Sequence, residues 1–174
     1  MLVRALEQQQ ALMKVAEKHC EDKKVSPETL LKASLAEDMK PFPFQIQTIS
    51  NTAKFVAVRV GGLENEPWED NETTFAQLHE RLEKTLAFLK KAKPEQFEGK
   101  DDAEVTMSVC HPLEATCETM LTFPPVALRK AGTNEFKFTS LSYLQVFAIP
   151  NFFFHHMAAY AILRNQGVPV GKFD

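Results

Sequence analysis

The sequence has few of the residues and spacings that mark a disulfide-bonded protein or a metalloprotein. It contains three cysteines, at positions 20, 110 and 117 of 174 residues. An odd number of cysteines without CxxC spacing argues against a disulfide framework and against a structural zinc site. The patterns HxxxH, ExxH and HExxH are absent as well. We therefore expect a reducing, cytoplasmic compartment.

A strong charge and a long hydrophobic run are also missing. The formal net charge is −3 and the pI is near 6.0, whereas a nucleic-acid-binding surface would need a basic stripe. No window of 18 consecutive apolar residues is present, as a membrane span would require. The N-terminal segment "MLVRALEQQQALMK" is charged and amphipathic, unlike a signal peptide. We expect a protein that binds neither nucleic acid nor a membrane.

The chain does have enough apolar residues to build a core. They make up 44% of the sequence, which is ordinary for a globular protein. A chain of this length fits one domain that buries about 70% of its unfolded surface. Neither repeats nor low-complexity tracts interrupt it. The sequence predicts a single domain over residues 1–174.

Four long segments carry apolar residues at three- and four-residue steps, as amphipathic helices do. The predicted helices cover about 2 to 20, 41 or 43 to 60, 74 to 92 and 141 to 166. Gly61 and Gly62, Pro94 and Gly167 supply stop signals at the ends of the last three.

Helix starts are marked by small polar residues and by proline. Ser26 and Pro27 predict a further short helix, with serine as N-cap and proline at the first helical position. Thr74 and Ser140 are the predicted N-caps of the third and fourth long helices. Pro150 is expected to kink the last helix or to divide it into two pieces.

Two short segments between the third and fourth long helices alternate like strands. They are "EVTMSV" (104–109) and "EFKFTS" (135–140), which we expect to pair as a hairpin. About 25 residues connect them, too many for a turn, and "LEATCETML" could form a helical turn there. The predicted fold is all-α: an antiparallel four-helix bundle with a small β-hairpin and a long inserted loop.

Two adjacent histidines lie in the most apolar part of the chain, "NFFFHHMAAYAILR". Neighbouring residues are about 100° apart around a helix, so one site cannot easily use both. His155 shares a stripe with Asn151 that should face the bundle axis, and His156 should pack against a neighbouring helix or a dimer partner. The residues leave three roles for His155 open: a core histidine, a catalytic or ligand-binding group, or a metal ligand.

Other polar residues could converge on the same axis. Gln45, Gln47, Thr48 and Asn51 make the first half of the second long helix unusually polar. Asp38 precedes that helix and could cap its N-terminus. The candidate catalytic residue is His155, and the candidate ligand-binding residues are Asp38, Gln47, Asn51, Thr52, Asn151 and Tyr160. Trp68 is expected to be a packing residue, and His79 is spaced to pair with Glu83.

Two segments carry a resemblance to a known superfamily. "LLKASLAEDMKPFPFQIQTISNTAK" and "YLQVFAIPNFFFHHMAAYAILRNQGVPVGKFD" resemble an uncharacterised bacterial and fungal branch of the DinB-like (YfiT-like) four-helix bundles. The resemblance implies up-down-down-up topology and often a homodimer. It also marks residues 110–133 as an insertion, because relatives join the two strands more tightly. The aromatic excess of "FFFHH" likewise favours homodimerisation.

In better-known branches of that superfamily, three histidines bind zinc or nickel. Some of those members transfer small thiols or act as thiol-dependent isomerases. Mapped onto this chain, the three positions are Thr52, Asn151 and His155, so two imidazoles are replaced by weak ligands for these metals. We predict a degenerate site without a metal, zinc or nickel being the alternative.

Three functions remain open on the sequence. The first is small-molecule binding in an axial pocket near His155, with possible acid–base catalysis. The second is a metal-dependent transferase or isomerase of the superfamily kind. The third is a dimeric interaction module without an active site.

Overall fold

Five helices and a small antiparallel sheet make up the described part of the chain. The computed structural model describes residues 1–110, 128–130 and 133–171. The helices are α1 (Leu2–Lys23), α2 (Pro27–Lys32), α3 (Phe42–Arg59), α4 (Phe75–Leu89) and a last helix (Ser140–Asn165). The strands are β1 (Glu104–Cys110), β2 (Leu128–Lys130) and β3 (Thr133–Thr139). The predicted helices and the two predicted strands are confirmed.

The four long helices share one hydrophobic core. Its fully buried side chains include Leu6, Met13, Ile46, Ile49, Leu78, Leu82, Phe152, Ile162 and Leu163. Each such side chain stabilises the fold by about 1.5–3 kcal/mol relative to an exposed one. Val168 and Val170, which follow the last helix, are buried in the same core.

Local capping explains where α4 begins. Thr74 Oγ1 accepts a hydrogen bond from the Gln77 N–H at 3.3 Å, and Gln77 Oε1 accepts one from the Thr74 N–H at 3.1 Å. This reciprocal pair is a capping box, which satisfies helix-terminal N–H groups that have no partner inside the helix. The Thr74 prediction is confirmed. At α2, Ser26 is the N-cap residue as predicted, but its side chain makes no capping hydrogen bond.

The last helix starts one residue earlier than predicted. Thr139, not Ser140, is its N-cap, and Thr139 Oγ1 accepts from the Ser142 N–H at 3.2 Å. A π-helical segment, Tyr143–Ala148, then leads into Pro150, and the Ile149 N–H donates to a carbonyl five residues back. Proline has no N–H to give to the α-helical ladder. The interruption expected at Pro150 therefore takes the form of a π segment inside one helix.

The sheet contains one strand more than predicted. β1 pairs antiparallel with β3, from Glu104 opposite Thr139 to Cys110 opposite Thr133, and β2 pairs with the other edge of β3. With only three residues, β2 is too short for alternation to reveal it. The helical turn predicted in 113–121 lies outside the described residues.

The last helix is the one described element whose length and composition would suit a membrane span. Its mean hydropathy reaches 1.4 over 18 residues, of which 33% are buried. A core helix of a globular protein passes the same test. Here the helix buries Phe152, Ala159 and Ile162 against the other helices.

Candidate functional site

Thr52 and Asn151, two of the three positions mapped from the superfamily, are in contact. Asn151 Nδ2 donates a hydrogen bond to Thr52 Oγ1 at 3.1 Å, across the packed faces of α3 and the last helix. Thr52 is buried and Asn151 half-buried. The two side chains therefore satisfy each other.

The third position, His155, is bonded to Gln45, one of the polar residues expected near the bundle axis but not a candidate ligand-binding residue. Its Nδ1 lies 2.7 Å from Oε1 of Gln45, and Gln45 Nε2 donates to the Lys40 carbonyl at 2.8 Å. Because the amide nitrogen of Gln45 is used in donating to Lys40, its oxygen must accept from His155. His155 then carries its proton on Nδ1, and Nε2 keeps a lone pair.

Aromatic rings hold the His155 side chain on two sides. Phe44 and Phe154 meet its ring edge-on, with centroid distances of 5.9 and 5.1 Å. Burial among these groups lowers the pKa of His155, because it penalises the charged imidazolium. The neutral ring can therefore accept a proton or a hydrogen bond at Nε2 near neutral pH.

His156, predicted to pack against a neighbouring helix or a dimer partner, is half-buried and packs against two rings of its own helix. Its ring stacks on Phe152 at 6.2 Å and meets the edge of Phe153 at 6.1 Å. Burial lowers the pKa of His156 as well. Its Nδ1 is buried and has no hydrogen-bond partner in the described part of the chain.

Gln47 and Asn51, predicted to line a pocket with His155, bond instead to the segment before α4. Gln47 Nε2 donates to Glu72 at 3.1 Å, and Asn51 Nδ2 donates to Asp70 at 3.0 Å. Adjacent residues on a helix point about 100° apart, so Asn51 cannot share the direction of Thr52. Neither side chain bonds to His155 in the described structure, and their ligand-binding role stays a prediction.

Arg81 is the centre of the second polar cluster. All five guanidinium N–H groups have acceptors at 2.7–2.8 Å: Ser50 Oγ, the Glu69 carbonyl, Glu72 Oε1, Asn51 Oδ1 and Asp70 Oδ1. Its side chain is only 3% exposed. Arg81 thereby ties the segment before α4 to α3. The sequence analysis did not predict this role of Arg81. The signal that could have indicated it is the polar face that Ser50 and Asn51 form on α3.

Trp68 and Lys54 complete this cluster. Trp68 packs edge-on against Phe88 at 5.6 Å, with the cations of Lys54 and Arg81 at 4.9 and 5.4 Å from its ring. Its predicted packing role is confirmed. Lys54 Nζ donates to the Glu66 carbonyl at 2.9 Å, and burial, ahead of nearby charges, lowers its pKa.

The remaining candidates do not reach His155. Asp38 is exposed in a loop, and the N-cap of α3 is Pro41, so the predicted cap is wrong. Tyr160 is half-buried and packs against the main core. His79 Nε2 pairs with Glu17 on α1 at 2.9 Å rather than with Glu83, because packing brings α1 beside that face of α4.

A groove of about 1220 Å³ lies where the end of α1 and the starts of α3 and α4 come together with α2. Its apolar lining includes Cys20, Leu31, Pro43, Phe44 and Phe75, and its polar lining includes Gln47, Glu17, Lys24 and Lys40. Thr52, Asn151 and His155 are not among the lining residues. Phe44 connects the two regions, since it lines the groove and also contacts His155.

The residues at the mapped metal positions do not fit zinc or nickel. Asn151 turns its amide nitrogen, a donor without a free lone pair, toward Thr52. That leaves one imidazole, whereas these metals favour several imidazole or thiolate ligands. Within the described residues, no group of three or more His, Cys, Asp or Glu side chains is arranged to hold a metal.

The comparisons with known proteins agree with the helical architecture. The chain is similar to the crystal structure of a DinB family member protein from Shewanella denitrificans, with 27% identity and a TM-score of 0.77. The match covers 98% of this chain and 84% of that one. The fold is thus that of a DinB-like helical protein, as the sequence resemblance indicated.

The family itself follows from a second comparison. A family model described as a domain of unknown function, DUF1993, matches residues 1–123 and 124–174. The chain belongs to the DUF1993 family. The comparison with curated proteins gave no match.

Proposed function

We propose that this protein binds a small molecule without a metal ion, in the groove between α1, α2, α3 and α4. The observation that carries the proposal is the groove itself, about 1220 Å³ in volume, with an apolar floor and charged side chains at its margin. Small-molecule sites are typically apolar clefts of about 300–1,000 Å³ with a few polar groups that orient the ligand. Gln47, a candidate ligand-binding residue, lines this groove.

His155 is the proposed acid–base group at the margin of the site. It contacts the groove through Phe44, and its hydrogen bond to Gln45 leads to the carbonyl of Lys40, another lining residue. A neutral imidazole whose Nε2 has a lone pair suits a general base. A ligand that displaces the Phe44 ring would approach the His155 ring, which Phe44 contacts.

A thermal-shift screen tests the proposal, because a ligand that binds the native state raises the melting temperature. We expect at least one compound to raise it, and Phe44→Ala to reduce that shift. Phe154→Ala is the matched control, since Phe154 also contacts His155 but does not line the groove. His155→Gln should keep most of the ligand-induced rise in melting temperature. It should lower the rate at which the bound compound is converted, because the proposed acid–base group is lost. An unchanged shift in Phe44→Ala would place the ligand elsewhere and contradict the proposal.

The metal-dependent alternative is tested by elemental analysis of protein purified without an affinity tag. We expect no stoichiometric zinc or nickel, because Thr52 and Asn151 bond to each other. About one metal ion per chain, lost in His155→Ala, would favour a metal-dependent transferase instead.

We further propose that the four long helices run up, down, down and up. The groove is lined by the end of α1 and by the starts of α3 and α4: Cys20, Phe44 and Phe75. A second pocket, of about 590 Å³, is lined by the start of α1 and by the ends of α3 and α4: Leu2, Val56 and Leu89. These two sets of residues support an α1 that runs opposite to α3 and α4.

The last helix is proposed to run parallel to α1. Asn151 bonds to Thr52, and His155, one turn later, bonds to Gln45, which lies earlier on α3. Moving forward along the last helix thus means moving backward along α3. Ile149 lines the same pocket as Leu2, which supports the common direction of the last helix and α1.

Homodimerisation is proposed from the outer face of the last helix. Four of its residues form an apolar stripe at helical spacing: Val146, Pro150, Phe154 and Met157. Phe154 and Met157 are 60% and 55% exposed. No formally charged residue occurs between 140 and 163, so two copies of this stripe would meet without charge repulsion. Exposed apolar patches of a few hundred Å² commonly mark protein interfaces.

A further inference from the structure

Gln9, which is buried, and His156, which is half-buried, each carry buried polar atoms that lack hydrogen-bond partners among the described residues. Gln9, on α1, is 0% exposed, and neither its Oε1 nor its Nε2 is bonded. His156 Nδ1, on the last helix, is buried and unbonded in the same way. An unpaired polar group is costly in a protein interior, so native interiors supply it with a protein partner or an ordered water molecule.

Helix geometry relates the levels of the two side chains along their helices. Leu2 and Ile149 line the same pocket, and Gln9 and His156 each follow one of them by seven residues. Seven residues make two turns, about 10.5 Å of rise, and return a side chain to nearly the same face. With α1 and the last helix parallel, as proposed above, Gln9 and His156 lie at about the same level of the bundle.

We propose that Gln9 and His156 form a buried polar site that binds an uncharged molecule of the size of water. Gln9 offers an oxygen that accepts and an amide that donates, and a neutral imidazole with its proton on Nε2 accepts at Nδ1. A bridging water can donate to His156 while it bonds to Gln9. This proposal rests on the parallel helices and is independent of ligand binding in the groove.

The surroundings favour a neutral occupant. The rings of Phe152 and Phe153 pack against His156. Leu6 and Met13, one turn before and after Gln9, are fully buried in the core. An ion without a counter-charge would pay a large desolvation cost in such a place. A water molecule, with two to four polar partners, does not.

Gln9→Met tests the site, because it keeps the length of the side chain and removes its polar atoms. We expect the melting temperature to fall by about 3–6 °C, since the bridging water is lost and His156 Nδ1 is left unpaired. Gln8→Met is the matched control on the exposed face of α1, with an expected change within about 1 °C. An unchanged or raised melting temperature in Gln9→Met would overturn the proposal.

A second pair of measurements distinguishes a shared water from two separate groups. His156→Phe should destabilise the native protein but add little in the Gln9→Met background, because both variants remove the same water. Full additivity would contradict a shared site. A crystal structure should show one water within about 3.2 Å of Gln9 and of His156 Nδ1. A direct hydrogen bond between the two side chains would overturn the proposed ligand.

Discussion

At the scale of single residues, the polar side chains of α3 divide between two partners. Gln45 and Thr52 bond to the last helix, whereas Gln47 and Asn51 bond to the segment held by Arg81. The first group surrounds a neutral histidine beside a groove, and the second is an ion-paired cluster with every guanidinium N–H used. The proposed acid–base group, His155, therefore lies with the first group, whereas the second group anchors the segment before α4.

The two histidines of the last helix should make stability depend on pH. Burial lowers the pKa of His155 and of His156, while an unfolded chain has histidines with a pKa of about 6.5. As the pH falls below about 6.5, the unfolded state binds more protons than the folded state, so folding becomes less stable. The decline continues until the pH passes the lowered folded-state pKa values.

Melting temperatures measured between pH 7.5 and 5.5 check this expectation. The native protein should lose stability toward pH 5.5, and the variants His155→Gln and His156→Gln should each show a weaker dependence. If the melting temperature of both variants falls with pH as steeply as that of the native protein, groups other than the two histidines cause the loss.

Arg81→Met should be the most damaging change in the second cluster. The substitution removes the guanidinium group that donates to Ser50 and to Glu72. Breaking a buried ion pair of this kind costs about 3–5 kcal/mol. Lys84→Met is the matched control, because Lys84 is an exposed cation beside the same Trp68 ring, with an expected effect within about 0.5 kcal/mol. Urea denaturation measures both. Equal losses of unfolding free energy in the two variants would show that Arg81 does not anchor the segment before α4.

At the scale of elements, two helix starts that both have a hydroxyl residue as N-cap differ in structure. Thr74 forms a capping box with Gln77, whereas the Ser26 side chain makes no capping bond. The reason is local: Gln77 is the residue three positions after the cap that can return the hydrogen bond. The bond itself, rather than the residue type, decides how much a cap contributes.

Thr74→Ala should therefore lower the free energy of unfolding by about 1 kcal/mol. Ser26→Ala serves as the control, and its effect should stay within about 0.5 kcal/mol. Chemical denaturation of the two variants gives the comparison. If Ser26→Ala costs as much as Thr74→Ala, the account of the two caps is wrong.

At the scale of the whole molecule, the last helix has apolar residues on two faces with different surroundings. Its inner face buries Phe152 and Ile162 in the core, and its outer face presents the apolar stripe. Such a helix satisfies the length and hydropathy of a membrane span because both faces are apolar. The proposed dimer would cover the outer face.

Light scattering at micromolar concentration should give a mass of about twice the 19.7 kDa chain. Phe154→Glu should shift the protein to a monomer, because two carboxylates would be buried opposite each other across a two-fold interface. Leu35→Glu is the control, since Leu35 is an exposed apolar residue on another surface. A monomer in the unmodified protein would contradict the dimer.

The sequence alone determined the helices and their stop signals, because apolar periodicity, capping residues and glycine act within a few residues of chain. Alternation indicated the strands that pair as β1 and β3, and the resemblance of two segments indicated the DinB-like class. Only the tertiary structure decided which polar side chains meet. Gln45 and His155 are 110 residues apart in sequence, and the five acceptors of Arg81 come from α3 and from the segment before α4. Their contact depends on how each helix is rotated about its axis in the bundle. The packing of the whole core sets that rotation, so no local sequence pattern reveals it.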